Sequence, residues 1–269
     1  MTATRAGAIA ATVAIAASIA VPGALVDAGG AGPQGRVGQF VVDCGWSHSS
    51  FDDPIVHPGH AGASHRHDFF GNTTTSASST YEQLLDAPTT CQQRLDTAAY
   101  WAPSLLDTGG TPIIPRRATA YYRAGPRVDP TTVAAYPPDL RMLGADAGWT
   151  CRPGVPGSAA PPTCGDAAGL HLTIVFPDCW DGAHVDSADH RAHVAGSHDG
   201  QCPVSHPVPI PLLELVIDYG DVDTRDLALS SGPVASAHAD FWNAWDQDKL
   251  ETEVELCLRR QQVCAVSSS

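Results

Sequence analysis

Eleven of the twelve histidines fall in two stretches, and only His238 lies outside them. The first stretch holds His48, His57, His60, His65 and His67. Within it, Ser64-His65-Arg66-His67-Asp68 places two imidazoles at i, i+2, so on a strand both would project from one face. The second holds His171, His184, His190, His193, His198 and His206. There His190 and His193 stand at i, i+3, a spacing that coincides on a helical turn. Asp181, Asp186 and Asp189 are interleaved with them. Imidazoles with carboxylates nearby are the usual ligands for a borderline divalent ion.

Three readings of this pattern stand side by side. In the first, His65, His67, His184, His190 and His193 converge on one divalent metal ion. Asp68, Asp181, Asp186 and Asp189 then orient the ligands or serve as the carboxylate partner. In the second, the same groups form a metal-free site, imidazole and carboxylate sharing acid and base roles near neutral pH. In the third, they brace long loops through hydrogen bonds and do no chemistry. Neither the H-E-x-x-H zinc signature nor the G-x-S-x-G nucleophile turn is present. No Walker or dinucleotide-binding glycine pattern occurs, and no glutamate follows the H-x-H closely enough for a cupin-type site.

A second feature with binding chemistry is Asp240-Phe241-Trp242-Asn243-Ala244-Trp245-Asp246. If exposed, Trp242 and Trp245 would stack on sugar rings while their polar neighbours bonded the rims. With only 18 aromatic residues in 269 (Trp 6, Tyr 6, Phe 6), at least one of the two is expected in the core instead.

Charge excludes several functions. The chain carries 15 Lys+Arg against 29 Asp+Glu, a formal charge of −14, and Lys249 is the single lysine. No basic footprint for nucleic acid or for a polybasic membrane contact exists. Residues 1–28 read as an export signal: Arg5, then an apolar run from Ala8 to Val21, then Val26-Asp27-Ala28 as a small-x-small cleavage site. The expected location is therefore extracellular. Eight cysteines, all beyond that site, agree with export into an oxidising compartment. Eight cysteines allow 105 pairings. Pairing in sequence order is the simplest: Cys44–Cys91, Cys151–Cys164, Cys179–Cys202 and Cys257–Cys264.

The elements that must position these groups are mostly strands. Strand patterns appear at Val37–Cys44, Arg117–Arg123, His171–Phe176 and Leu212–Tyr219. One helical turn is expected at Tyr81–Leu85, capped by Ser79 or Thr80. A longer helix is expected from Asp248 to Arg260, with Leu250, Val254, Cys257 and Leu258 on one face. Short strands between Pro- and Gly-rich loops favour a mainly β chain, a β-sandwich or jelly-roll-like fold with long disulfide-stapled loops. The expected organisation is a signal over 1–28, a flexible leader over 29–38 and one domain over 39–264.

The ordered motifs also carry a resemblance. Asp53-Pro54-Ile55-Val56, His67-Asp68-Phe69-Phe70-Gly71-Asn72, Tyr100-Trp101, Cys179-Trp180-Asp181-Gly182 and Asp240-Phe241-Trp242-Asn243 stand in the order of a secreted domain-of-unknown-function family, number one-nine-nine-six. The similarity runs from about Gln39 to Cys257. The family occurs in fungi and high-GC bacteria, and its fungal members are often joined to WSC carbohydrate-binding modules. That company implies a polysaccharide or cell-wall context. Residues 151–168 look like an insertion relative to the family. The expectation is an exported domain that acts on or binds extracellular polysaccharide, with hydrolysis the chemistry if it is an enzyme. The alternative is a non-catalytic cell-wall binding or structural protein.

Overall fold

The computed structural model describes residues 1–2, 37–155, 157–165 and 168–264. The chain divides into two units, Met1–Gly35 and Arg36–Ser269. Apart from Met1 and Thr2, the segment expected to direct export lies outside the described residues, as does the leader up to residue 36.

Nine strands of the second unit form one antiparallel sheet. They are β1 (Gln39–Ser50), β2 (His67–Gly71), β3 (Ala99–Pro103), β4 (Arg117–Arg123), β5 (Arg141–Gly144), β6 (Asp146–Thr150), β7 (Leu170–Val175), β8 (Leu212–Gly220) and β9 (Ala239–Trp242). Their order across the sheet is β5-β9-β3-β2-β1-β4-β8-β7-β6. β1 joins two halves. Its first part pairs with β4, from Gln39 opposite Arg123 to Gly45 opposite Arg117. Its second part pairs with β2, from Trp46 opposite Phe70 to Ser50 opposite His67, and the register shifts between Trp46 and His48. An irregularity of that kind bends a strand and raises its twist. The sheet thereby folds over into a sandwich.

Alternation along the strands fills the space between the layers. Phe40, Val42 and Cys44 of β1, Ala118, Ala120 and Tyr122 of β4, and Leu213, Leu215 and Ile217 of β8 are all buried in one cluster. Phe70, Tyr100, Met142 and Phe241 meet them from the other layer. Gly144 marks a close approach: a Cβ there would sit 3.0 Å from atoms of both Ile174 and Phe176. A second, smaller cluster lies on the opposite face of the β9-β3-β2 layer. It contains Ile55, Phe69, Leu84, Trp101 and Trp242. The loop after β1 and the short helix α1 (Tyr81–Leu85) cover it, α1 being closed by a Thr80–Gln83 capping box.

The helix expected near the C-terminus is α2 (Gln247–Glu253), continued by a π-helical turn over Val254–Arg259. Asp246 caps it by accepting the Lys249 N–H at 2.8 Å. Leu250, Val254, Cys257 and Leu258 are fully buried, as their spacing demands. Four disulfides pair the cysteines in sequence order: Cys44–Cys91, Cys151–Cys164, Cys179–Cys202 and Cys257–Cys264. Among the described residues no helix is long and apolar enough to cross a membrane.

Candidate metal centre

His67 begins β2 and is completely buried. Its Nδ1 lies 3.0 Å from the Asp52 carbonyl, which can only accept, so Nδ1 carries the proton and Nε2 keeps its lone pair. That Nε2 is buried without a hydrogen-bond partner, and so is Nε2 of His65. The two rings lie 4.2 Å apart between centroids, as their i, i+2 spacing anticipates. Burial holds both imidazoles neutral. It pushes His65 down to about 4, with help from the charges of His238 and His57. It pushes His67 well below the usual imidazole range.

The third imidazole is His238, the histidine outside both stretches. It arrives from the segment leading into β9, its ring 5.2 Å from His65 and 6.1 Å from His67. Its Nδ1 donates to the Ser236 carbonyl at 2.8 Å, which again frees Nε2. One ring nitrogen from each of His65, His67 and His238 lies within 4.8 Å of the other two. Ligand atoms around a tetrahedral zinc stand about 3.4 Å apart, which follows from bonds of about 2 Å.

Two carboxylates complete the cluster. Asp53, His67 and Asp240 likewise bring ligand atoms within 4.8 Å of one another. Asp240 sits in the middle of β9, opposite Trp101 and Leu143, 1% exposed, with neither carboxyl oxygen hydrogen-bonded. Burial, reinforced by the Asp53 charge, lifts its carboxyl well above the usual carboxylate range, and Arg191 pulls the other way. Asp53 is 4% exposed and accepts the Ile55 and Val56 N–H groups at 3.1 and 2.9 Å. Burial raises its carboxyl too, against those two bonds. His67 belongs to both groups, so imidazoles and carboxylates adjoin here in a donor set of the kind a divalent cation takes. The cluster opens into a cleft of about 420 Å³, lined by His57, His65, His238, Asp53, Asp240 and Arg191 among others.

The remaining residues singled out in the sequence lie elsewhere. Asp68 points to the other face of β2 from His67, as alternation requires. There it accepts Ser49 Oγ at 2.5 Å and pairs with Arg66 at 3.4 Å. His184, His190 and His193, with Asp181, Asp186 and Asp189, belong to the excursion between the short strands Cys179–Trp180 and Val194–Ala195. None of them joins a ligand cluster with His65 or His67. The expected convergence of both stretches on one ion is therefore corrected. The imidazoles expected as ligands in the second stretch have other partners: His184 is taken up by Asp181 at 2.7 Å and His190 by Asp186 at 2.9 Å. His193 is held by Ser187 Oγ at 3.0 Å and the Arg141 carbonyl at 2.6 Å.

The tryptophans are corrected as well. Trp242 and Trp245 are 1% and 0% exposed and offer no face to a sugar. Trp242 lies under the Arg141 guanidinium, 4.3 Å from its ring, and donates to Asp139 at 2.6 Å. Trp245 donates to the Tyr122 hydroxyl at 3.3 Å. The aromatic shortage of the sequence explains the result, since large rings are needed to fill both clusters. Of the described residues in the 151–168 loop, none lines the histidine cleft.

His238, Asp240 and Asp53 were not recognised from spacing as site residues. A signal existed: His238-Ala239-Asp240 repeats the i, i+2 arrangement of His65 and His67, with a carboxylate in the second place.

A disulfide-stapled β-sandwich with a histidine- and aspartate-lined cleft on one outer face is the class of domain so defined. The chain belongs to the family described as Domain of unknown function (DUF1996), whose model matches residues 53–245, well over half of its length. Comparison with curated proteins and with solved structures finds no match.

Proposed function

We propose that the domain is an exported, metal-dependent hydrolase acting on extracellular polysaccharide, with the ion held by His65, His67 and His238. One observation carries the reading: three imidazoles present ring nitrogens within 4.8 Å, two of them buried and unpartnered. An orphaned buried acceptor is costly, and a bound cation removes that cost. Three imidazoles favour zinc or a neighbouring transition ion over calcium or magnesium. An ion so held lowers the pKa of a bound water towards neutrality and polarises a substrate oxygen.

The chain's own groups supply the rest. Asp52 and Ser236 carbonyls fix the tautomers of His67 and His238. Asp240, with both oxygens free and its carboxyl raised by burial, is suited to take up and return a proton. Polysaccharide is the substrate class because of the WSC modules that accompany fungal members of the family. Four disulfides suit an oxidising, extracellular setting.

The test is elemental analysis of mature protein purified without a histidine tag or chelator. We expect about one equivalent of a transition ion, and its loss in His238→Ala with the thermal transition of the metal-free protein little changed. A wild-type protein that stays metal-free after reconstitution with zinc, copper, manganese and calcium rejects the reading. The non-catalytic cell-wall alternative would then stand, although the two burials just described remove the indole platform it relied on.

A further inference from the structure

Arg191 lines the histidine cleft and also the adjoining cleft of about 510 Å³, with Leu143 and Ala145 common to both. Its side chain is exposed, and among the described residues its guanidinium meets neither a carboxylate nor a hydrogen-bond acceptor. In a chain with 29 acidic residues and 15 basic ones, most arginines of the fold are paired. Among the described residues Arg116 and Arg152 also lack an ion pair; Arg191 differs in standing where two clefts meet, beside a buried carboxylate cluster, with its guanidinium open to an anionic group from solution.

The second histidine stretch holds that arginine in place. Ser187 Oγ and Asp189 Oδ1 both accept the Arg191 N–H, each at 3.1 Å. The same two atoms accept the Ala192 N–H at 3.0 and 2.8 Å. His190, in the left-handed region at φ 56°, is tied to Asp186, which reaches Arg141 at 3.4 Å. His193 fastens the end of the loop to the Arg141 carbonyl. The Cys179–Cys202 disulfide closes its base. A loop braced this heavily fixes the backbone from which the Arg191 side chain extends.

We propose that Arg191 is the specificity residue of the cleft. It grips an anionic group, a carboxylate or a phosphate, on a glycan whose neighbouring bond lies at the histidine centre and whose chain continues into the second cleft. This rests on the hydrolytic reading above and names its substrate class. The overall charge of −14 disfavours uniformly dense polyanions, so the acidic group is one that a single guanidinium can read in place.

The experiment measures binding of three probes to zinc-loaded protein by calorimetry at low salt: an oligogalacturonide, a phosphorylated mannan oligosaccharide and a neutral dextran oligosaccharide. One anionic probe should bind and the dextran should not. Which of the two binds decides between carboxylate and phosphate. Arg191→Ala should weaken that binding about 10- to 100-fold, the usual range for losing a charged hydrogen-bonded contact. Arg191→Lys should restore part of it, and the zinc content of both variants should stay unchanged. Equal binding of dextran, no binding of either anionic glycan, or an Arg191→Ala protein that binds as tightly as wild type overturns the proposal. If zinc is retained in those cases, only the specificity is wrong. If wild type retains no zinc, the hydrolytic reading itself has failed.

Discussion

Both ring nitrogens of His193 are engaged, whereas His65 and His67 each keep a buried Nε2 with no partner. Occupied nitrogens brace a loop and free ones are available to ligate, so two histidine stretches that look alike in sequence are set up for different work. His67→Ala should therefore abolish metal binding, whereas His184→Ala, at an exposed position, should leave it intact; metal content of the purified variants checks both. At the same scale, Asp96 is fully buried and accepts the Tyr100 hydroxyl at 2.8 Å and the Ala98 N–H at 3.1 Å. Tyr100 in turn meets the Tyr122 hydroxyl. Burial raises the Asp96 carboxyl to about 8. Below about pH 4 the folded and unfolded chains both hold this proton. Between about pH 4 and 8 only the folded chain does, so this contribution to stability declines as pH rises through that window. Asp96→Asn, which mimics the protonated acid, should gain stability relative to wild type at pH 8 compared with pH 5. Thermal melts of both proteins at the two pH values test this, and a pH-independent difference would contradict it.

At the scale of elements, the pieces with internal periodicity were legible. The apolar spacing of α2, the alternation in β7 and the strand-like runs of β4 and β8 are local properties of the chain. β2, β3 and β9 were not, because each is buried on both faces and so shows no alternation. For the same reason only half of the candidate metal cluster was visible. His65 and His67 are neighbours in the chain, but His238 and Asp240 reach them only because β9 pairs with β3 and β3 with β2. Such pairing is long-range and leaves no mark in spacing. Two substitutions test the elements themselves. Asp246→Ala removes the cap of α2 and should cost about 1 kcal/mol by denaturant unfolding. Gly71→Ala should cost about 1–3 kcal/mol, since Gly71 is left-handed at φ 76° and a Cβ would run into the Ala98 carbonyl.

For the whole molecule, the mainly β class followed from turn residues and strand patterns, while the cysteine count left 105 pairings, of which the simplest is the one formed. The layer arrangement did not, because it depends on where β1 bends. The Cys179–Cys202 bridge closes the loop that carries Arg191. Replacing both cysteines by alanine should lower stability by about 2–4 kcal/mol in denaturant melts.

β1 also has a dynamic consequence. A strand that donates and accepts ladder hydrogen bonds in both layers cannot leave one without disturbing the other. The layers are thus fastened along a common spine rather than glued face to face. Amide hydrogen exchange should then show one slow cooperative unit spanning Val42, Phe70 and Leu215, and no regime in which one layer exchanges while the other stays protected.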